Sequence, residues 1–245
     1  MSLRGHFIVA LLLACVTILT TSCTQNEGVG GNSHIKGVLV EKYYNNDFTI
    51  LQYEEPAKDD DVFILFGDQL ELGDKTTTTY SGNYQFQYLW PGNYHLYYYS
   101  DDTTGTTNEK VEIVKDITLG KGETLNMGTL YSYKALDWNE GFAKIRGKVK
   151  LINYRNNGTE YSIYPAQEQE VYITYNNAEF YTDRIRTDDE GYFEFNHLLK
   201  GGYEIFIYSE DVETDGKKLL TEKVSVNITE LDQSVVLDDI YIEKN

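Results

Sequence analysis

The sequence predicts an all-β protein in which two tandem antiparallel β-sandwiches follow an N-terminal signal helix. Short segments such as Tyr84–Phe86 and Phe193–Phe195 alternate apolar and polar residues, which is the period of a strand with one buried face. Glycine-containing turns separate these segments, and no stretch after residue 23 has the periodicity of a long amphipathic helix. Several short strands with regular turns in each ~100 residues indicate a sandwich.

The strand pattern occurs twice at an offset of about 110 residues, which predicts a duplicated domain. Matching segments keep their order along the chain, and small drifts in the offset indicate short loop insertions. We therefore expect a first β-sandwich at residues 34–133, a linker at 134–144 and a second β-sandwich at 145–243. The clearest matches pair Ile35–Val38 with Ile145–Lys148, Asp61–Ile64 with Glu170–Ile173, Gly82 with Gly191, Leu89 with Leu198, and Tyr94 with Tyr203.

The alternation also predicts the two cores, because every second residue of a strand points to the same face. Gly82 and Gly191 are expected in turn conformations that a side chain would penalise. The residues expected to point inward are Tyr84, Phe86, Leu89, Tyr94, Leu96 and Tyr98 in the first domain, and Phe193, Phe195, Leu198, Tyr203, Ile205 and Ile207 in the second.

The N-terminus predicts export. Arg4 precedes the apolar run Phe7–Leu19, which is shorter than the roughly 20 residues that span a bilayer. A basic start, a short apolar core and then small residues form the layout of a secretory signal peptide. We expect this signal to occupy residues 1–22.

The end of the signal, Leu19-Thr20-Thr21-Ser22-Cys23, resembles a bacterial lipobox. Ser22 and Cys23 fit that motif, whereas the aliphatic Leu19 stands one position earlier than usual. The resemblance implies a lipid on Cys23, a flexible tether over residues 23–33, and an anchor in the bacterial cell envelope, at the outer membrane or cell surface. Ordinary cleavage nearby is the alternative, and it would give a soluble periplasmic or secreted protein.

The charge and the cysteine content limit the classes of partner that we expect this chain to bind. The formal net charge is −18, which argues against binding to nucleic acid or to anionic lipid headgroups. The only cysteines are Cys15 and Cys23, so we expect no disulfide in the mature chain. The expected partners are the membrane, through the lipid on Cys23, and an envelope protein or a glycan.

A pattern of glycine, apolar and aromatic residues runs through the second repeat. It comprises Gly147, Val149, Val171, Ile173, Thr187, Gly191–Phe195, Leu198 and Gly201–Ile205. This pattern resembles the carboxypeptidase regulatory-like domain, an immunoglobulin-like or transthyretin-like β-sandwich related to the B-type repeats of bacterial surface adhesins. The first repeat matches less closely. The resemblance implies a non-catalytic module that serves as a spacer, a scaffold, or a partner-binding or glycan-associated unit.

No recognisable catalytic or cofactor-binding motif occurs in the sequence, so we expect neither an enzyme nor a cofactor. The histidines His6, His34, His95 and His197 include no pair at metal-ligand spacing. A pair of carboxylates for glycoside hydrolysis remains an alternative, because the two members of such a pair are distant in sequence and no local motif identifies them.

Acidic residues recur at predicted loops. Calcium prefers several oxygen ligands, so a calcium site is one interpretation and solvated turn charges are the other. The calcium candidates are Asp101, Asp102, Asp188, Asp189, Glu210 and Asp211.

Aromatic residues alternate with the predicted core positions and should point outward. Sugar rings stack on exposed aromatic faces, so these residues are candidate ligand-stacking groups; coverage by neighbouring strands is the alternative. They are Tyr97, Tyr99, Phe206 and Tyr208.

Asp102-Thr103-Thr104 resembles a bacterial surface O-glycosylation site, with Thr103 as the acceptor. Three functions therefore stay open from the sequence. They are a structural or partner-binding envelope lipoprotein, a carbohydrate-binding surface lipoprotein, and a calcium-dependent adhesin.

Overall fold

The computed structural model describes residues 27–154, 160–210 and 219–244, and in these ranges every regular element is a β-strand. The predicted all-β fold is confirmed. The strands of the first half are β1 (Val29–Asn45), β2 (Leu51–Pro56), β3 (Asp61–Phe66), β4 (Asp74–Thr77), β5 (Asn83–Leu89), β6 (Gly92–Asp101), β7 (Lys110–Leu119) and β8 (Thr124–Leu136). Those of the second half are β9 (Ala143–Tyr154), β10 (Glu160–Pro165), β11 (Glu170–Tyr175), β12 (Asp183–Arg186), β13 (Tyr192–Leu198), β14 (Gly201–Glu210), β15 (Leu219–Ile228), β16 (Ser234–Val236) and β17 (Ile240–Lys244).

The signal peptide at residues 1–22 and the lipidation site Cys23 lie outside the described residues. Among the residues that are described, no helix is long and apolar enough to cross a membrane.

Strand order is the same in the two halves. One sheet has the order β2-β1-β5, with β8 also on β1, and its counterpart has the order β10-β9-β13, with β16 and β17 also on β9. The other pair of sheets has the orders β4-β3-β6-β7 and β12-β11-β14-β15. The repeat seen in the sequence is therefore a repeat of topology.

Two strand pairings in the second half are parallel. Both β16 and β17 pair parallel to β9. The physical reason is that these strands follow a crossover from β15, which belongs to the other sheet, rather than a hairpin.

The described residues form two compact units. One contains those up to Leu39 with Lys58–Tyr98 and Ile113–Leu130, and the other contains Val40–Ala57, Tyr99–Glu112 and those from Tyr131 onward. The domain boundaries at 34–133 and 145–243, with the linker at 134–144, stay a prediction.

The predicted cores are confirmed. The six inward residues of the first half, from Tyr84 to Tyr98, are 0–3% exposed, and the six of the second half, from Phe193 to Ile207, are 0–4% exposed. Strand alternation explains the burial of ten of these twelve residues. Leu89 and Leu198 stand three residues after the preceding core residue, at a register shift where Tyr88 and His197 have φ values of +58° and +59°.

The predicted turn glycines are also confirmed. Gly82 and Gly191 have φ values of +74° and +80°, which lie in the region that favours glycine. Each amide closes a turn by donating to the carbonyl three residues earlier, from Gly82 to Thr79 at 2.8 Å and from Gly191 to Asp188 at 3.0 Å.

Residues 29–33 differ from the flexible tether expected over 23–33, because they form the start of β1. Ser33 is fully buried, and its hydroxyl donates to the carbonyl of Gly120 at 2.8 Å. The glycines of this segment serve close packing: a Cβ on Gly31 would lie 2.0 Å from the carbonyl oxygen of Leu89.

Candidate ligand-binding surface

The outer face of the β11–β14 pair carries a stacked pair of aromatic rings. Tyr172 and Phe206 are register partners on these strands. Their ring centroids are 5.1 Å apart with an angle of 10° between the planes. Both rings point outward because their strand neighbours, such as Val171 and Ile205, are fully buried.

Two further tyrosines extend this pair. The ring of Tyr208 lies edge-on to Tyr172 at 5.5 Å, and that of Tyr181 lies edge-on to it at 5.2 Å. Tyr208 is 43% exposed and Tyr181 is 53% exposed. We call the four residues Tyr172, Tyr181, Phe206 and Tyr208 the aromatic patch. Tyr172 is its centre, since all three other rings contact it.

Charged groups fix the centre of the aromatic patch. The hydroxyl of Tyr172 donates to Glu170 Oε2 at 2.6 Å, and Arg184 Nη1 lies 3.0 Å from Glu170 Oε1. The hydrogen bond from Tyr172 and the positive charges of Arg184 and Arg186 lower the pKa of Glu170. These ion pairs are solvent-exposed and add little stability, and they bring Tyr172 and Arg184 to the same carboxylate.

The first half repeats only part of this surface. Phe63 and Tyr97 are register partners and stack at 4.9 Å with an interplanar angle of 12°. Tyr99 is 44% exposed, and its hydroxyl donates to Glu112 at 3.2 Å. The loop between β3 and β4 carries Leu72 at the corresponding place, where the second half has Tyr181.

The structure divides the four predicted stacking residues into two classes. Tyr97 and Phe206 each have a ring face covered by a partner, Phe63 and Tyr172 respectively. Tyr99 and Tyr208 keep more than two fifths of their surface exposed. In each half, one of the two candidates is therefore partly covered by a ring on the neighbouring strand, and the other is exposed.

The candidate residues predicted from the sequence did not include Tyr172 and Tyr181 of the aromatic patch, or Glu170 and Arg184 beside it. Tyr172 could have been found from alternation, because it stands between the core positions Val171 and Ile173. Nothing local identifies Arg184, which reaches Glu170 only because β12 pairs with β11.

Asp101 and Asp102 bind backbone groups of their own neighbourhood. Asp101 accepts the amide of Ala135 at 3.0 Å. Asp102 accepts the amides of Thr104, Thr106 and Thr107 at 2.8–2.9 Å. Hydrogen bonds, first from the Thr104 hydroxyl and then from these amides, lower the pKa of Asp102. Thr103, the candidate glycosylation site, is exposed in the loop that Asp102 organises.

The second set of acidic candidates is also engaged in a turn. The carboxylate of Asp188 accepts the amides of Glu190 and Tyr192 at 2.9 and 2.8 Å. Asp211 lies outside the described residues. Within the described ranges no three acidic, histidine or cysteine side chains are grouped so that they could hold a metal ion. The calcium site stays a prediction.

An open cleft adjoins the patch at Tyr208. It has a volume of about 730 Å³ and is lined by Tyr164, Gln167, Gln169, Tyr208 and Glu243, among others. Its lining offers aromatic rings together with amide and carboxylate groups, which is the chemistry that recognises a hydroxyl-rich ligand.

No protein-family model matches this sequence, and no curated protein matches it. Among solved structures, the chain is similar to the minor pilin of Streptococcus agalactiae, with 13% identity, coverage of 87% of this chain and 96% of that chain, and a TM-score of 0.34. It is similar to a streptococcal ancillary pilin at 14% identity, 86% and 62% coverage and a TM-score of 0.32, so it spans less than two thirds of that pilin. A third similar structure is a Pseudomonas aeruginosa protein for which carbohydrate binding is proposed, at 17% identity, 43% and 90% coverage and a TM-score of 0.25. These values identify neither a family nor an activity.

Proposed function

We propose that this chain is a non-catalytic lipoprotein of the bacterial cell envelope that binds a protein partner through its aromatic patch. One observation supports the binding role above the others. Tyr172, Tyr181, Phe206 and Tyr208 form a contiguous outward cluster beside Arg184 and Arg186. Tyrosine and arginine are enriched among the residues that dominate the binding energy of protein interfaces.

The geometry of the rings favours a protein over a sugar as the ligand. Carbohydrates stack on free ring faces, whereas Phe206 and Tyr172 cover one face of each other. The pair is held in place before any ligand arrives, because Tyr172 is also bonded to Glu170. A preorganised patch loses less side-chain entropy on binding, which raises affinity.

The first half then serves as the connecting module. It lacks a counterpart of Tyr181 and has only the Phe63–Tyr97 pair with Tyr99. The carboxypeptidase regulatory-like resemblance supports a scaffold role for both halves, and the lipobox resemblance of Leu19–Cys23 supports an anchor on Cys23.

A photo-crosslinking residue in place of Tyr208 tests the binding role in intact cells. We expect an adduct with one envelope protein, and we expect none from the same residue in place of Tyr99, which occupies the equivalent position of the first half and is equally exposed. With the purified partner, Tyr208→Ala should weaken binding by about 30-fold, the effect of losing a hot spot. Equal binding by Tyr208→Ala and Tyr99→Ala would reject the proposal.

The lipid anchor needs its own test. The mass of the mature chain, isolated from the native bacterium, should show acylation of an N-terminal Cys23. Cys23→Ser should give a chain that is retained in its precursor form or released from the membrane. A mature chain that begins elsewhere and carries no lipid would contradict the anchor while leaving the aromatic patch untouched.

Carbohydrate binding is the second candidate, and the cleft beside Tyr208 favours it. Tyr164 is 43% exposed there, near Gln167 and Gln169. Calorimetry with envelope and host polysaccharides should then show binding that Tyr164→Ala abolishes and Tyr99→Ala does not. Binding that survives Tyr164→Ala, or no binding to any glycan, excludes this candidate.

A further inference from the structure

Glu27 and Gly28, which precede β1, are fixed to the first sandwich. Glu27 Oε1 accepts the amide of Asn93 at 3.3 Å. The amide of Gly28 donates to the Tyr94 hydroxyl at 3.3 Å, and the Gly28 carbonyl accepts the amide of Trp90 at 2.8 Å. Glu27 and Gly28 are therefore held against the turn between β5 and β6.

This attachment limits the distance to the proposed anchor. Cys23 precedes Glu27 by four residues, and four Cα–Cα steps span at most about 14 Å in any conformation. A lipid on Cys23 therefore holds the end of the sandwich near Glu27 at the bilayer surface. The long flexible tether expected from the sequence would have allowed a much larger separation.

The loop between β3 and β4, residues 67–73, lies beside Glu27. A Cβ on Gly67 would be 3.2 Å from Glu27 Oε2. The amide of Gly67 donates to the carbonyl of Asn93 at 2.8 Å, so the loop and Glu27 both bond to Asn93 at the start of β6. Leu70 stands within three residues of Gly67, which places it within about 11 Å of it.

This loop exposes two leucines. Leu70 is 97% exposed and Leu72 is 53% exposed, which makes Leu70 the most exposed large apolar side chain among the described residues. The loop is not loosely attached: the amide of Gly73 donates to the carbonyl of Ile64 at 3.0 Å. Two exposed leucines on a loop that is hydrogen-bonded to the sheet form an apolar surface that another molecule or a membrane can cover.

We propose that Leu70 and Leu72 insert into the lipid bilayer and form a second membrane contact beside the lipid on Cys23. This inference rests on the proposed lipid anchor. The occupant is a bilayer because the short reach from Cys23 leaves this loop at the membrane surface. An apolar loop beside the lipid would add an apolar contact with the membrane and orient the attachment.

The charges of the loop define the lipid surface that it fits. Asp68 and Glu71 flank Leu70, and the carboxylate of Glu27 lies beside Gly67 of the same loop. Anionic headgroups would repel these carboxylates. The expected surface is therefore zwitterionic, such as one of phosphatidylethanolamine and phosphatidylcholine.

A spin label at residue 70 tests this contact in the lipidated full chain. The only native cysteines are Cys15 and Cys23, so Leu70→Cys adds a single free thiol once Cys23 is lipidated. In vesicles of phosphatidylethanolamine and phosphatidylcholine, accessibility to oxygen against a water-soluble nickel chelate should place the label about 5–10 Å below the headgroups. The matched control Ser81→Cys, on the exposed turn after β4, should remain fully accessible to the chelate.

The outcomes separate the contact from the anchor. A lipidated chain with label 70 as accessible to the chelate as label 81 overturns the contact. A label that is shielded from both oxygen and the chelate indicates a protein neighbour and overturns it as well. A chain that carries no lipid on Cys23 by mass refutes the anchor, and with it the basis of the contact.

Discussion

Two equivalent core positions, Tyr84 and Phe193, differ by a single oxygen. Each ring lies on a glycine of the first strand in its half: a Cβ on Gly37 would be 2.5 Å from the Tyr84 hydroxyl, and one on Gly147 would be 2.7 Å from Cζ of Phe193. The Tyr84 hydroxyl is buried and has no hydrogen-bond partner among the described residues. Burial raises its pKa. The fold therefore requires a ring on a glycine at this place, and it does not require the hydroxyl.

Other buried hydroxyls do have a conserved use in both halves. Tyr94 donates to the carbonyl of Trp90 at 2.5 Å, and Tyr203 donates to that of Leu199 at 2.9 Å. Both bonds reach back four residues and fasten a strand to the turn before it, a geometry like that of the tyrosine corners of immunoglobulin-like sandwiches. The tyrosine is thus present in both halves where its hydroxyl makes a hydrogen bond, whereas the unbonded hydroxyl of Tyr84 is missing from its counterpart Phe193.

The largest expected effect comes from removing an equivalent core ring in each half. Phe86 and Phe195 are 2% and 3% exposed. Phe86→Ala and Phe195→Ala should each lower the free energy of unfolding by about 3–5 kcal/mol, because each leaves a cavity. Chemical denaturation followed by circular dichroism measures this, with the exposed Tyr192→Ala as the control. A loss below 1 kcal/mol for either variant would contradict the equivalence of the two cores.

Alkaline pH should destabilise both halves through their buried tyrosines. Burial raises the pKa of Tyr175 to about 12 and raises those of Tyr84, Tyr94 and Tyr203. In the unfolded chain these phenols ionise near pH 10, so stability is fully present below that pH and falls as the pH rises further. Circular dichroism from pH 8 to pH 12, with phenolate absorbance in parallel, should show joint loss of structure and cooperative ionisation. Smooth, non-cooperative ionisation of all tyrosines near pH 10 would contradict this.

Replacing Tyr84 by phenylalanine and Phe193 by tyrosine should change the free energy of unfolding in opposite directions. Tyr84→Phe removes a buried hydroxyl without a partner, so we expect a gain of about 1 kcal/mol in the free energy of unfolding. Phe193→Tyr introduces such a hydroxyl above Gly147 and should cost about 1–3 kcal/mol. Denaturant midpoints of the two variants measure both effects. A loss of stability in Tyr84→Phe would show that the hydroxyl has a partner, such as a bound water.

The smallest effect concerns the loop after β6, where Asp102 organises the backbone. Because hydrogen bonds lower the pKa of Asp102, its contribution is present above pH 3.8, the ordinary value for an aspartate, and is lost as the pH falls below it. Amide exchange at Thr104, Thr106 and Thr107 should therefore be faster in Asp102→Asn than in the parent chain at pH 6. The exposed Asp68→Asn serves as the control. Unchanged exchange in Asp102→Asn would show that the turn forms without the carboxylate.

Sequence reasoning predicted the cores well because burial in a strand depends on local alternation. Phe86 and Phe193 could be placed from their neighbours alone. The tether was a different case: a glycine-rich polar segment is typical of a flexible linker, yet Gly31 is needed for close approach to the carbonyl of Leu89. Whether such a segment is a linker or a packed strand depends on the strand that lies opposite, and this cannot be deduced from the segment alone.

The aromatic patch was predicted in part. Alternation placed Phe206 and Tyr208 on the outer face, but their contacts depend on the register of β11 with β14, in which Tyr172 faces Phe206. Arg184 and Glu170 come together through the pairing of β12 with β11. Register is set by turns and by packing across the sheet, and it cannot be deduced from either strand alone.

The central claim is that the two halves contain the same sandwich, and native-state hydrogen exchange tests it most directly. The strands β6 and β14 have a partner on both sides in their sheets, so their amides should be among the last to exchange. We predict comparable slow exchange at Tyr94–Tyr98 and Tyr203–Ile207, with faster exchange in the edge strands β4 and β12. Protection confined to one half, or edge strands that exchange as slowly as β6 and β14, would contradict it.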